Sequence, residues 1–267
     1  RKMSKSFGNS PDPLELIKQY GADGVRLGML LTSPAGNDLP FDEALCQQGR
    51  NFNNKIWNAF RLIKGWTIDD KGQTPAAPQI AIKWFEQRLN QIIILLEEHF
   101  EQYKIAEGLM LLYRVIWEDF CSWYLEIVKP AFGKPIDKTT YDKTVYFFEE
   151  LMKILHPYLP FITEELWQQL GKRQNGASIM SCQYPQAKEY DNSNISEFEY
   201  AKELIITIRN IKAKHKLSPK TQLNIALSKG NDILLKHFAP ILETIVFVKI
   251  VDANEVPISE NVTFIVG

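Results

Sequence analysis

From Phe85 onward, apolar side chains return at alternating steps of four and three: Phe85, Leu89, Ile92, Leu96, Phe100 and Tyr103. Residues at those steps share one face of an α-helix, so the spacing predicts a helix over 79–103 whose seam is buried by neighbours. A second long helix is predicted over 105–129, stopped by Pro130, and a third over 139–155, broken at His156-Pro157. The pattern resumes after Pro160 as 162–170 and ends at Gly171. Long helices joined by short breaks must cover one another's apolar faces. The chain is therefore predicted to be mainly α, with an antiparallel bundle at its centre.

The flanks differ from this centre. The first forty residues are rich in Gly, Pro, Ser and Asp, with short helices predicted over 14–20 and 22–31; Asp12 caps the first and Pro13 opens it. A long helix over 42–65 follows, its apolar face made by Leu45, Phe52, Ile56, Ala59 and Ile63. Gly49 falls on that face, where a neighbouring helix can approach closely. Residues 66–78 form a loop, and 171–195 look like a linker. Ser196-Glu197-Phe198-Glu199 is a capping box for a helix running to about His215. Beyond Pro219, strands are predicted over 222–228, 246–251 and 262–266, with a helix over 233–245 between the first two. The division that results is 1–41, a bundle over 42–171, a linker over 172–195, and a small α+β unit over 196–267 that stops in mid-element.

Composition excludes some classes and selects none. The longest apolar run, Ile92 to Leu96, is far too short to span a bilayer, and no basic-then-apolar signal segment opens the chain, so a cytoplasmic protein without a membrane partner is expected. Cys46, Cys121 and Cys182 are widely separated, and His99, His156, His215 and His237 do not cluster with them, so no metal site is expected. Two glycosylation patterns, at Asn194 and Asn261, are discounted in a cytosolic chain. A net charge of −1 does not advertise a nucleic-acid binder, but binding depends on local clusters rather than totals.

The strongest chemical motif is Lys2-Met3-Ser4-Lys5-Ser6, followed by Phe7-Gly8-Asn9. Two flexible ammonium groups can meet charge building on departing pyrophosphate, while serine hydroxyls and backbone N–H groups bind phosphate oxygens. A slightly basic solvated loop would be the better explanation of a lone Lys-Ser pair; the intact five-residue motif favours ATP binding by Lys2, Met3, Ser4, Lys5 and Ser6.

That motif is the second signature of class I aminoacyl-tRNA synthetases. Its continuation, Gly8-Asn9-Ser10-Pro11-Asp12-Pro13 and then Tyr20-Gly21-Ala22-Asp23 with Arg26, resembles the valyl branch of that family. Arg50-Asn51-Phe52-Asn53-Asn54-Lys55-Ile56-Trp57-Asn58-Ala59 and Asp119-Phe120-Cys121-Ser122-Trp123-Tyr124 are similar to it as well, as is the stretch from Ile208-Arg209-Asn210 to Pro219. His156 to Trp167 resembles a segment shared more widely among the aliphatic-amino-acid enzymes. Phe7, where these enzymes usually carry Leu, and Gln183-Tyr184-Pro185, in place of Trp-Pro, depart from the pattern. The resemblance implies an enzyme that activates valine with ATP and Mg2+ and transfers it to a valine-accepting tRNA, with Lys2 and Lys5 as catalytic residues. It also implies a monomer, an anticodon-binding bundle, and a nucleotide-binding fold, HIGH signature and editing domain upstream of Arg1. The chain is accordingly expected to be a C-terminal part, inactive by itself. An isoleucyl or leucyl enzyme, or a non-catalytic RNA-binding module derived from a synthetase, are the alternatives left open.

Two helices carry candidate tRNA contacts. Over 42–65, Arg50, Asn54 and Arg61 fall opposite the apolar stripe, with Trp57 nearby. Over 196–215, Arg209, Lys212 and Lys216 follow one another at helical spacing, backed by Lys214, His215 and Lys220, and no acidic residue interrupts 209–220. Taken singly, each is equally well explained as solvated surface; together they form a concentrated positive field suited to phosphates. Tyr103, Tyr113, Trp117, Trp123 and Trp167 are candidates for stacking on splayed bases, although a packed bundle also needs aromatics and core packing accounts for most of them.

Overall fold

The structure, a computed structural model, describes residues 10–32, 41–226 and 232–251. Lys2, Met3, Ser4, Lys5 and Ser6, and the strand expected over 262–266, lie outside the described residues. Helix α1 (Pro13–Tyr20) opens as its sequence dictates: Asp12 Oδ1 accepts from Leu14 N at 2.9 Å, and Pro13 takes the first position, where no N–H is needed. Gly21, at φ 78°, turns the chain into α2 (Ala22–Leu31). Asp42 caps α3 (Glu43–Lys64) in the same way, accepting from Ala44 N at 2.9 Å.

α2 and α3 meet backbone to backbone. A Cβ on Gly49 would stand 2.4 Å from the Gly24 carbonyl oxygen, and one on Gly28 would stand 2.7 Å from Cys46 N. The expected apolar face of α3 is buried from Phe52 through Ile56 and Ala59 to Ile63. Its first member is Cys46 rather than the half-buried Leu45, because Cys46 is the residue facing Gly28.

The bundle continues through α4 (Ala76–Glu101), α5 (Ile105–Arg114), a π-helical segment Val115–Tyr124, α6 (Leu125–Val128), α7 (Lys138–Leu155) and α8 (Pro160–Leu170). Phe85 of α4 sits at the centre, its ring centroid 5.1 to 5.3 Å from those of Phe120, Tyr124 and Phe147. The Tyr124 hydroxyl is satisfied inside the core by Thr144 Oγ1 at 2.8 Å. In the π-helical segment, Ser122 Oγ donates to the Trp117 carbonyl five residues back, at 2.9 Å. The seam predicted for α4 is buried at Phe85, Leu89, Ile92 and Leu96 but does not reach Tyr103, which is 81% exposed. The helix has already ended: Lys104 N donates to His99 O and Tyr103 N to Phe100 O, closing a Schellman turn with Tyr103 in the left-handed position at φ 55°.

The irregular stretch after α8, with one 3-10 turn at Ile179–Ser181, lies down on α4. Lys188 N donates to Asn90 Oδ1 and Asp191 N to Gln87 Oε1, both at 2.8 Å, and Pro185 is buried. Helix α9 (Asn192–Lys214) consequently starts four residues before the expected capping box. Asp191 is its cap, and Ser196 Oγ instead donates to Asn192 O within the helix. β1 (Ile68–Asp69) and β2 (Ile136–Asp137) form a short parallel pair that no sequence pattern announces. β3 (Leu223–Ala226) and β4 (Val248–Val251), joined through α10 (Asp232–Val246), form a second parallel pair in register Leu223 to Val248, close to the expected elements.

Gly49→Ala is expected to lower stability by about 1–3 kcal/mol, the cost of overpacking where a backbone rather than a flexible side chain blocks the new methyl. Urea unfolding followed by tryptophan fluorescence measures it. An unchanged midpoint would mean that α2 and α3 are not in backbone contact.

Candidate nucleic-acid interface

Arg50, Asn54, Trp57 and Arg61 recur along α3 at steps of four, three and four, so the helix alone brings them to one side. Arg50, Asn54 and Arg61 are exposed and Trp57 is half-buried, its ring 6.0 Å from Phe60. Arg50 is partly committed: its Nη1 donates at 2.8 Å to the Gln19 carbonyl, in the last turn of α1, where a cation complements the helix dipole. Beside this row, Lys55 Nζ stands 5.3 Å from the Trp117 ring centroid, and Trp117 stacks on Tyr113 at 5.6 Å with 14° between the planes. Sequence spacing does not reveal this cation–aromatic group, because Lys55 and Trp117 meet across two helices.

The second row does not survive as a row. Arg209 is exposed, its guanidinium 5.7 Å from the Trp123 ring centroid. Lys212, expected beside it, is only 3% exposed. Its ammonium donates to the carbonyls of Pro219 at 3.0 Å, Thr221 at 2.6 Å and Val246 at 2.6 Å. Burial pulls its pKa below the usual lysine value. Lys212 therefore ties the end of α9 to the turn before β3 and to the last residue of α10, and is unavailable to a phosphate. Lys216 has left the helix: with φ at 53° it occupies the left-handed position of another Schellman turn, closed by Leu217 N to Lys212 O at 2.8 Å. Lys214, Lys216 and Lys220 remain exposed, so a positive cluster persists at the end of α9.

Beneath Trp123 lies a buried ionic group. Asp119 accepts from Arg88 Nε at 2.9 Å and from Lys202 Nζ at 2.8 Å, and Lys202 also donates to Glu199 at 2.8 Å. Lys202 Nζ is 4.7 Å from the Trp84 ring centroid and 5.8 Å from that of Trp123. Trp123 is thus half-exposed between two cations, Lys202 and Arg209. Of the other stacking candidates, Trp167 belongs to the core: it donates from Nε1 to Glu149 at 3.0 Å and is covered by Arg173 at 3.8 Å. Burial pushes the Cys121 thiol up to about 12, which makes it a poor nucleophile. Among the described residues, no three His, Cys, Asp or Glu side chains are grouped to hold a metal ion, and no helix is long and apolar enough to cross a membrane.

The family model described as "Anticodon-binding domain of tRNA ligase" matches residues 82–227, more than half of the chain. The chain belongs to this family. Residues 1–42 match a second model, "tRNA synthetases class I (I, L, M and V)". The chain resembles the valine–tRNA ligases of Parabacteroides distasonis (52% identity, covering 85% of this chain and 26% of that protein) and Phocaeicola vulgatus (48%, covering 100% and 30%). The valine–tRNA ligase of Fusobacterium nucleatum is 37% identical over 86% of this chain. The chain therefore spans between a quarter and a third of the length of these relatives. Among solved structures, the LeuRS of Agrobacterium radiobacter K84, in a ternary complex with tRNA and LeuAMS, matches 73% of this chain and 23% of its own at TM-score 0.50 and 18% identity, a likeness of fold.

Lys212→Met is expected to cost about 2–4 kcal/mol, because the buried Val246 carbonyl and the part-buried carbonyls of Pro219 and Thr221 lose a charged donor at once. Hydrogen exchange across β3 and β4 should rise, as these strands lie beside the carbonyls it holds. Retained protection there, with weakened RNA binding, would return Lys212 to the interface.

Proposed function

We propose that this chain is the tRNA-binding, C-terminal part of a valine–tRNA ligase. The observation that carries the reading is the anticodon-binding family match over 82–227, which takes in Tyr113, Trp117, Trp123 and Arg209 of the two cation–aromatic surfaces, with α3 packed beside it. One surface is α3 with Arg50, Asn54, Trp57 and Arg61 beside Lys55, Trp117 and Tyr113; the other is Arg209 beside Trp123, with the exposed Lys214 and Lys216 following at the end of α9. Guanidinium and ammonium groups supply affinity for phosphates, and half-exposed rings offer faces for unstacked bases. The 48–52% identity to valine–tRNA ligases favours valine over isoleucine or leucine as the amino acid.

In the whole enzyme, a carboxylate oxygen of valine attacks the α-phosphorus of ATP and pyrophosphate leaves. A ribose hydroxyl of the tRNA terminus then takes the acyl group and AMP leaves. Lys2 and Lys5, with Met3, Ser4 and Ser6, serve the first step by meeting charge on the departing pyrophosphate, with Mg2+ accompanying the nucleotide. The enzyme is cytoplasmic and acts as a monomer on this reading.

The chain is expected to bind tRNA with an affinity that falls as a power of salt concentration. Replacing Arg209, Lys214 and Lys216 by Ala should weaken all tRNAs alike and flatten the salt slope by roughly one unit per lost contact. Discrimination between a valine tRNA and an anticodon-swapped copy should survive, since base contacts carry specificity. Equal affinity for both tRNAs at every salt concentration would sink the anticodon-binding role.

In the full-length enzyme, Lys5→Ala should slow valine-dependent ATP–pyrophosphate exchange by about a hundredfold or more, the usual cost of losing one preorganised charge, with little change in tRNA affinity. Exchange at the unsubstituted rate would remove Lys5 from the mechanism.

A further inference from the structure

The buried Lys212 joins two stretches of chain into the walls of a cleft. Through the carbonyls of Pro219 and Thr221 it holds the turn before β3, and through Val246 O it holds the end of α10. Leu223 N then donates to Phe247 O at 3.1 Å, and the parallel register of Leu223 with Val248 follows. Between the two stretches lies an open cleft of about 420 Å³, lined by Lys220, Gln222, Glu243, Phe247, Val248 and Lys249. Neither the α3 row nor the Arg209–Trp123 contact contributes to it.

Phe247 gives the cleft its character. It follows α10 at φ 53°, in the left-handed position where helices commonly end on glycine. A bulky side chain is strained there, and such strain persists only where the surroundings enforce it. Here the carbonyl before its Cα is taken by Lys212 and the carbonyl after it by Leu223 N. The outcome is a ring that is 40% exposed, with the buried Lys212 Nζ standing 5.9 Å from its centroid. Lys220, Gln222 and Lys249 are exposed around it, and the exposed Lys214 and Lys216 precede the cleft at the end of α9. Glu243 supplies the carboxylate of the lining, so the cleft keeps a positive balance.

We propose that this cleft binds an unpaired nucleotide of RNA, its base stacked on Phe247 and its flanking phosphates at Lys220 and Lys249. This rests on the RNA-binding function proposed above, and it carries the RNA surface past residue 227, where the anticodon-binding match ends. An aromatic face stacks any base, and ammonium groups meet the phosphates on either side of it. Gln222 and Glu243 offer a donor and acceptors to the base edge. A small anion would have no use for the ring, and an apolar peptide would have none for the lysines.

The test uses the 267-residue chain, a valine tRNA and a short fluorescent oligouridylate, the latter also made with thiouridine for photo-cross-linking. Phe247→Gly removes the ring and relieves the backbone, so hydrogen-exchange protection of β3 and β4 should hold. It should weaken oligouridylate binding about tenfold, the usual loss for one stacked base, and leave the salt slope unchanged. Lys220→Ala and Lys249→Ala should each flatten that slope by roughly 0.7, the share of one single-strand phosphate. Irradiation should join the thiouridine RNA to the peptide that carries Phe247. Unchanged affinity in Phe247→Gly, or cross-links confined to other peptides, overturns the proposal. Should Phe247→Gly lose protection in β3 and β4, Phe247→Leu, which keeps apolar bulk without an aromatic face, carries the same affinity test. Cleft variants that bind both RNAs as the unsubstituted chain does overturn this inference alone, whereas an unsubstituted chain that binds neither RNA at any salt concentration overturns the function on which it rests.

Discussion

α4 is apolar on more than one side, and much of the molecule is arranged to cover those sides. Trp84, Phe85, Leu89, Ile92, Ile93 and Leu96 are all buried, and they do not share one narrow stripe. Trp84 and Phe85 project to different sides. Trp84 stacks on Phe198 of α9 with ring centroids 3.9 Å apart, while Phe85 packs among Phe120, Tyr124 and Phe147. A helix apolar on several sides becomes the centre of a core rather than its edge. Its length then sets the length of the bundle, and the polar strap over 171–190 closes the side that α9 leaves open.

Burying that much apolar surface carries charges inside with it, and each is matched there. Asp119 joins α4, the π-helical segment and α9 through Arg88 and Lys202. Such a triad adds little net stability over an apolar replacement, yet removal of one member leaves an uncompensated buried charge. Its consequence for the surface is positional. It holds Lys202, paired with Asp119 and Glu199, under Trp123 while Arg209 reaches the same ring, so two cationic groups stand 5.8 and 5.7 Å from the Trp123 ring centroid. A net charge of −1 says nothing of this arrangement, because a total carries no position.

Much of the fold was legible because its signals are local. A cap needs only a side chain two residues from the N–H it accepts, so Asp12 marks the start of α1 from the sequence alone, while Asp42, read there only as the start of the helix over 42–65, is the cap of α3. Proline and glycine stops act through the chain's own backbone, which is why the breaks at His156-Pro157 and Gly171 stand where they are read. Even Gly49 declares a close approach, since a helix face that suddenly lacks a side chain needs something to fill the gap. The exposed face of α3 follows from periodicity alone.

Sequence by itself determined the helical class, most element boundaries and one of the two cationic surfaces. Tertiary structure decided what depends on groups far apart in the chain. Lys212 sits at helical spacing between solvated cations, yet the Val246 carbonyl 34 residues on draws it inward. The Ser196 box is sound in isolation, but Asp191, with its own N–H held by Gln87, starts the helix earlier. Asp23 reads as a first-turn residue of α2, and only folding brings the uncapped end of α8 against it. Asp191 stays exposed and acts through its tie to Gln87. Lys212 and Asp23, on leaving water, took the partners the fold placed within reach, since desolvation makes an unmet buried group cost more than a local preference can return.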